Sequence, residues 1–143
     1  MIMRRNSGKW LALVSAALLG NLNANAATDL VWTNTAGGNW NVSTNWTPNQ
    51  VPGTADNAFI TNSGTYTVTL SANSTAGSVT VGGASGTQTL NLDKFVLTLN
   101  SPSVINANGH VDMLLNCGIA GAGNLTVNGT LNWASGTLSG TGV

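Results

Sequence analysis

The chain has few charged residues. Its 143 residues contain four Lys or Arg and four acidic residues, all of them Asp. Arg4, Arg5 and Lys9 lie at the very start, so the remainder carries one Lys against four Asp, a net charge of −3. Nucleic acids and anionic membranes are bound mainly through Lys and Arg. The sequence therefore excludes a nucleic-acid partner and an anionic membrane surface.

The chain has a single cysteine, Cys117. A small secreted domain held together by disulfides needs an even set of cysteines. The stability of this chain must therefore come from packing and main-chain hydrogen bonds. The neighbours of Cys117 are largely apolar, from Leu114 to Ile119. This predicts a buried, unreactive thiol.

The segment 1–26 has the organisation of a secretory signal peptide. Three basic residues precede the apolar run 10–19, and a short polar segment then ends in Ala24-Asn25-Ala26. The apolar run is about half as long as the roughly 20 residues that a membrane span needs. We therefore expect a signal peptide over 1–26, cleaved near Ala26. The product is expected to be secreted or at the cell surface, with no membrane insertion after cleavage.

Beyond the signal peptide, apolar residues recur at every second position in short runs, as in Tyr66, Val68 and Leu70. This period predicts strands with one buried face. Gly, Asn and Ser separate the runs, and this combination of turn residues and alternating run repeats along the chain. The pattern favours an all-β, right-handed β-solenoid, in which each repeat packs on the next. The alternative is an antiparallel β-sandwich, because Asn108-Gly109 and Asn128-Gly129 are typical of hairpin turns.

The solenoid hypothesis predicts one continuous apolar core. Segments 123–127 and 130–133 are expected to share one sheet orientation. The residues expected to face the core are Val79, Val81, Leu90, Leu92, Leu97, Leu99, Leu125, Val127, Leu131, Trp133 and Leu138.

The composition divides the exported chain into two parts. Residues 27–60 hold three Trp and two Pro, which suits an aromatic-rich cap over the open end of a solenoid. Residues 61–143 hold the repeats. The sequence ends in the middle of a repeat, so we expect an array that is truncated at the C-terminus and prone to edge-to-edge association.

The opening of the exported chain carries a spaced motif of Trp, Gly, Asn and Pro. It resembles the N-terminal part of secreted bacterial β-solenoid surface proteins, of the autotransporter-passenger-like or adhesin-like kind. The resemblance implies a structural or adhesive role in an exported surface protein, with no chemistry of its own. It implies cell-surface glycans or other surface proteins as partners. The motif consists of Trp32, Gly37-Gly38-Asn39-Trp40, Asn45-Trp46, Val51-Pro52-Gly53, Asp56, Ala58 and Ile60.

Two uses are open for Trp32, Trp40 and Trp46. They can fill the cap, where each indole N–H needs only a local partner. Alternatively, they form a stacking platform for sugar rings, which would make the chain a glycan-binding module.

The chain offers little for catalysis. His110 and Asp112 would share one strand face, but a zinc or base role needs further ligands, and the exported chain has no Glu and no second His. Asp56 is expected to cap a turn, and calcium is the alternative. We expect no catalytic, cofactor or metal residues and no enzyme. A fragment of a β-helix polysaccharide-degrading enzyme is the less favoured alternative, because such enzymes need clustered carboxylates.

Overall fold

The computed structural model describes residues 26–142, which are all-β apart from the three-residue 3-10 helix Ser43–Asn45. From Asn57 onward, strands that follow one another along the chain lie in different sheets, so the chain winds as about four stacked coils. The predicted β-solenoid is confirmed. The antiparallel sandwich is wrong, because every strand pair except one is parallel. The predicted signal peptide lies outside the described residues, apart from Ala26.

Three parallel sheets form the sides of the solenoid. Sheet A contains β1 (Asp29–Trp32), β4 (Asn57–Ile60), β7 (Ser78–Val81), β10 (Ser103–Ile105) and β13 (Leu125–Val127), with β3 (Trp46–Thr47) at its edge. Sheet B contains β2 (Gly38–Asn39), β5 (Tyr66–Thr69), β8 (Gln88–Asn91), β11 (Gly109–Met113) and β14 (Thr130–Trp133). Sheet C contains β6 (Ser74–Ala76), β9 (Val96–Leu99), β12 (Gly118–Ala120) and β15 (Thr137–Leu138). Within residues 26–142, no helix has the length and apolarity needed to cross a membrane.

The coils stack in register. In sheet B, Thr67 lies beside Thr89, Thr89 beside His110, and His110 beside Thr130. One coil is therefore the stretch of chain from Thr67 to Thr89, and the next runs from Thr89 to His110. Adjacent coils are separated by the ordinary strand spacing of about 4.8 Å. Each coil lengthens the solenoid by about that distance.

Inward-facing residues form columns that run through the stack. Val68, Leu90 and Val111 lie side by side on consecutive coils of sheet B, and none is more than 3% exposed. The residues between them point outward, because successive strand residues face opposite sides. An apolar void of only about 10 Å³ lies between Leu90, Val111 and core residues of the other two sheets. Little space is therefore left unfilled at this point of the core.

Asparagine helps to form the corners between sheets A and B. Asn108-Gly109 and Asn128-Gly129 stand at the entry to β11 and β14, where the chain turns from one parallel sheet to the next. The Asn108 side chain donates to the carbonyl oxygen of Gly83 on the preceding coil, at 2.9 Å. These Asn-Gly pairs do not close hairpins. They turn corners, and at Asn108 the side-chain amide also satisfies a carbonyl group of the neighbouring coil.

Glycine allows close stacking at the same corner. Gly86 has a φ of +76° and lies against Gly64 of the preceding coil. A Cβ atom at Gly86 would overlap the carbonyl oxygen of Gly64. This position therefore needs glycine both for its left-handed backbone and for the approach of two main chains.

The last coil differs from the sequence-based expectation in two ways. Segments 123–127 and 130–133 do not share a sheet, because the coil turns a corner between β13 and β14. Val127 and Trp133 continue the columns of buried residues but are 43% and 54% exposed. Their exposure follows from their position, since no later coil of the described chain covers them. Three other residues of this coil are partly buried, as expected for core-facing positions: Leu125, Leu131 and Leu138.

The N-terminal end of the stack is closed. Strand β3 pairs antiparallel with β1 and covers the edge of sheet A, with Trp32 opposite Trp46. Asn41 covers the start of sheet C. Its side-chain oxygen accepts from the main-chain N–H of Ser71 at 3.1 Å, and its amide donates to the Ser74 hydroxyl at 3.0 Å. Strand edges at this end thus find partners within the cap, and β4 already belongs to the regular coils.

Candidate functional surfaces

Three tryptophans fill the N-terminal end of the core. The ring centroid of Trp46 lies 5.1 Å from that of Trp32 and 4.8 Å from that of Trp40. The interplanar angles are 88° and 75°, so both contacts are edge-to-face, an arrangement that aromatic quadrupoles favour. All three side chains are fully buried. The cluster therefore closes the core against solvent.

The glycan-stacking hypothesis for Trp32, Trp40 and Trp46 is wrong in this structure. Stacking on a sugar requires an exposed ring face, and each of these residues is 0% exposed. Trp32 donates its indole N–H to the carbonyl of Asn34 at 2.7 Å, and Trp46 donates to that of Trp40 at 2.8 Å. The indole N–H of Trp40 is buried and has no partner within residues 26–142. The three rings serve the cap.

Asp56 holds the turn that leads into β4. Its carboxylate accepts from the main-chain N–H of Gly53 at 2.9 Å, the Gln50 amide at 2.8 Å and the main-chain N–H of Thr28 at 3.1 Å. The residue is 8% exposed. The expected turn-capping role is confirmed. A calcium site would need more carboxylates, and residues 26–142 contain no group of three His, Cys, Asp or Glu placed to hold a metal.

The outer face of sheet B carries two straight rows of polar side chains. His110 and Asp112 both lie on this face, as predicted, one in each row. Side chains within a row are about 4.8 Å apart and the rows are about 6.7 Å apart, from strand geometry. The rows are Thr67, Thr89, His110 and Thr130, and Thr69, Asn91, Asp112 and Asn132.

The neighbours of His110 and Asp112 are uncharged. Thr89 and Thr130 flank His110, and Asn132 donates its amide to the Asp112 carboxylate at 3.3 Å. The face offers hydroxyl and amide groups that both donate and accept hydrogen bonds. It suits a contact with another hydrogen-bonding surface.

Asp29 and Asp56 lie near each other on adjacent coils, and the other two carboxylates lie elsewhere on the solenoid. Asp29 begins β1 in sheet A, Asp93 lies in the turn after β8, and Asp112 is in β11 of sheet B. Asp56 is buried in its turn. In this neighbouring pair, Asp56 accepts from three donors in its turn and Asp29 accepts from the Asn57 amide.

Asp29 ends a short chain of side-chain hydrogen bonds across three coils. The Ser78 hydroxyl donates to the Asn57 side-chain oxygen at 2.8 Å, and the Asn57 amide donates to Asp29 at 2.8 Å. These contacts reinforce the register of sheet A on its wet side.

Two further groups with potential chemistry are buried. The Tyr66 hydroxyl donates to the carbonyl oxygen of Asn62 at 3.1 Å, and burial raises the pKa of its phenol above the ordinary 10.0. Cys117 is 4% exposed, with its Sγ 3.9 Å from the Ser135 carbonyl oxygen. The predicted burial of this thiol is confirmed.

Sequence reasoning missed the two rows on sheet B. It found His110 and Asp112 on one strand, but not Thr89, Asn91, Thr130 and Asn132 beside them. Coil length varies with each corner, so no fixed period connects these positions. The available signal was Asn or Thr at outward strand positions. Only the pairing register between strands shows that these residues form one surface.

The chain matches no protein-family model, no curated protein and no solved structure. A functional proposal therefore depends on the fold, on the placement of its side chains and on the pattern of the segment 1–26.

Proposed function

We propose that the chain is a structural or adhesive segment of an exported bacterial surface protein. It acts as a rigid spacer that presents or extends other parts of the protein and has no chemistry of its own. The observation that carries the proposal is the in-register stack, in which Val68, Leu90 and Val111 form one buried column. Such a stack resists bending because each coil is tied to the next by a full set of parallel strands.

Export is supported by the first part of the chain. Arg4, Arg5 and Lys9 precede an uncharged apolar run, and Ala24-Asn25-Ala26 supplies small residues at the expected cleavage position. The resemblance to autotransporter-passenger-like and adhesin-like proteins agrees with a destination at the cell surface.

The scarcity of ionisable groups supports a non-enzymatic role. His110 has only threonines beside it in its row, and Asp112 lies between two asparagines. Neither has a second acid or base next to it across the sheet. A spacer requires only that such residues be compatible with water, and both are half-buried on the outer face.

The outer face of sheet B is the surface we propose for adhesion. It is built from Thr and Asn in register, with Asp112 and His110 as the only ionisable side chains in its two rows. A surface of this kind would contact a cell-surface glycan or another surface protein through many weak hydrogen bonds. The buried Trp cluster takes no part in it.

Surface exposure tests the proposal. The full chain with a C-terminal epitope tag is produced in a bacterium, and intact cells are treated with protease. We expect the tag to be lost from intact cells, and mass spectrometry of the exported product to find a chain that begins at Ala27. The variant Leu13→Asp, which interrupts the apolar run, should keep the tag inside, while the control Leu13→Ile should not. A protease-resistant tag and an intact Met1 in the unaltered chain would contradict export.

A further inference from the structure

The carboxylate of Asp56 is buried without a cationic partner in the described chain. Its three donors, from Thr28, Gln50 and Gly53, are all uncharged. Within residues 26–142 the only Lys or Arg is Lys94, which lies in an exposed turn between β8 and β9. A buried carboxylate is costly unless its charge is balanced, although hydrogen bonds offset part of that cost. The environment of Asp56 would therefore favour a cation.

The start of the exported chain lies against this carboxylate. The main-chain N–H of Thr28 is 3.1 Å from Asp56 Oδ1, and the Thr28 carbonyl accepts from the main-chain N–H of Asn57 at 2.9 Å. These two contacts fix Thr28 beside β4. Adjacent main-chain nitrogens are at most about 3.8 Å apart, so the nitrogen of Ala27 lies within about 7 Å of the carboxylate.

A cleft of about 430 Å³ opens at the same place. Its lining includes Ala26 and Thr28 from the start of the exported chain and Gln50, Gly53 and Asp56 from the turn before β4. The group that follows Ala26 in the chain thus has room to reorient toward the carboxylate. Nothing else charged lines this cleft, since its remaining residues are Thr54 and Ala55.

We propose that cleavage after Ala26 creates the missing cation, and that the new α-ammonium group of Ala27 binds the Asp56 carboxylate. An external peptidase hydrolyses the Ala26–Ala27 amide bond. Water supplies the hydroxyl group of the departing Ala26 carboxyl and a proton to the Ala27 nitrogen, and the amine takes up one further proton from solvent. This inference rests on the proposed export, because it needs the signal peptide to be removed at this bond.

The consequence is a cap that tightens only after processing. In the precursor, the Ala27 nitrogen is a neutral amide and supplies no counter-charge to Asp56. In the processed chain, the ion pair ties the first residue to the turn before β4. Asp29 is the competing carboxylate on the same segment, but it is exposed and already accepts from Asn57. Burial makes Asp56 the stronger partner, since water screens it less.

The experiment compares two forms of the chain 27–143, one with a free α-amine and one with an acetylated amine, which carries no charge. Both are released from a fusion protein in vitro, so a negative result leaves the proposed export untouched. We expect the free-amine form to melt about 3 °C higher near neutral pH. A melting difference of zero would overturn the proposal.

The pH dependence identifies the amine. Because a carboxylate partner favours the protonated amine, its contribution is fully present below the ordinary α-amino pKa of about 7.7–8.0 and is lost as pH rises past the folded-state pKa. The melting difference should therefore be present at about pH 6.5 and absent at about pH 10. Asp56 and Asp29 are the titratable side chains on the elements packed here, and both pH values lie above the ordinary carboxyl range.

Substitutions identify the carboxylate. Asp56→Asn should abolish the difference between the free and acetylated forms, and the matched control Asp29→Asn should keep it. The reverse result would assign the amine to Asp29 and overturn the proposal. If Asp56→Asn does not fold, adding one glycine before Ala27 moves the ammonium by about 3.8 Å and should reduce the difference by half or more. An unchanged difference in the extended chain would also overturn the proposal.

Discussion

Trp46 donates its indole N–H to the main-chain carbonyl of Trp40 at 2.8 Å, while the rings of the two residues meet edge-to-face at 4.8 Å. The indole N–H of Trp40 itself has no partner among residues 26–142. Two tryptophans that are equally buried thus differ in the one polar atom that each carries. The same substitution at Trp40 and at Trp46 therefore tests the contribution of this hydrogen bond.

Replacing Trp46 by Phe should cost more stability than replacing Trp40 by Phe. Both changes remove ring volume, but only Trp46→Phe leaves the Trp40 carbonyl without its donor. We expect the free energy of unfolding to fall by about 1 kcal/mol more for Trp46→Phe, measured by urea denaturation. Trp133→Phe, at a 54% exposed position, is the control and should change stability by under about 0.5 kcal/mol. Equal losses at Trp40 and Trp46 would contradict the role of this hydrogen bond.

The buried column of sheet B predicts a sharp contrast between neighbours in sequence. Leu90 is 1% exposed between Val68 and Val111, whereas Thr89 points outward. Leu90→Ala should lower the free energy of unfolding by about 2–5 kcal/mol through lost burial and a cavity. Thr89→Ala should change it by under about 0.5 kcal/mol. Chemical denaturation measures the free energy of unfolding of both variants. Similar losses in the two variants would mean that the alternation does not define the core.

The same contrast should be weaker in the last coil. Leu131 pairs with Val111 but is only partly buried, and Asn132 beside it faces solvent. Leu131→Asp should still be more destabilising than Asn132→Ala, because it places a charge against apolar side chains. Its cost should be smaller than that of Leu90→Asp, since water reaches the last coil. A larger loss at Leu131 than at Leu90 would indicate that this end is covered in solution.

Stability should fall in alkaline solution partly because of Tyr66. Burial raises the pKa of its phenol above 10.0 in the folded chain, so the unfolded chain loses this proton first as pH rises. The contribution is fully present below pH 10.0 and is lost as pH climbs toward the folded-state pKa. Urea denaturation at about pH 9 and about pH 11 should therefore show a larger loss for the unaltered chain than for Tyr66→Phe. Parallel losses would show that other groups cause the alkaline destabilisation.

Residues 27–143 should release no products from polysaccharides. Asp56 is buried and accepts three hydrogen bonds in its turn, and Asp112 has only Asn91 and Asn132 beside it in its row. A panel of acidic and neutral polysaccharides, followed by a reducing-end assay, tests this expectation. The outcome that would overturn it is measurable cleavage that disappears in Asp112→Asn and persists in Asp29→Asn.

Much of the architecture could be predicted from local pattern. The alternation of Tyr66, Val68 and Leu70 identified strands and their buried faces, because side chains alternate along any strand regardless of its partners. The fold class, the aromatic cap and the capping role of Asp56 followed from such local rules. The two Asn-Gly pairs were misleading, because the same dipeptide that closes a hairpin also turns a solenoid corner.

The sequence by itself determined which residues of each strand point inward, the polarity of the outer faces and the scarcity of charge, since these depend on a residue and its near neighbours. Only the tertiary structure decided which strands are neighbours. It placed Thr89 beside His110, Asp56 beside Thr28, and the three tryptophans inside the cap instead of on its surface. Corners of unequal length separate positions that become adjacent, so no local rule relates them. Contacts between coils join positions that a whole turn of the solenoid separates along the chain, and they depend on how each corner is packed.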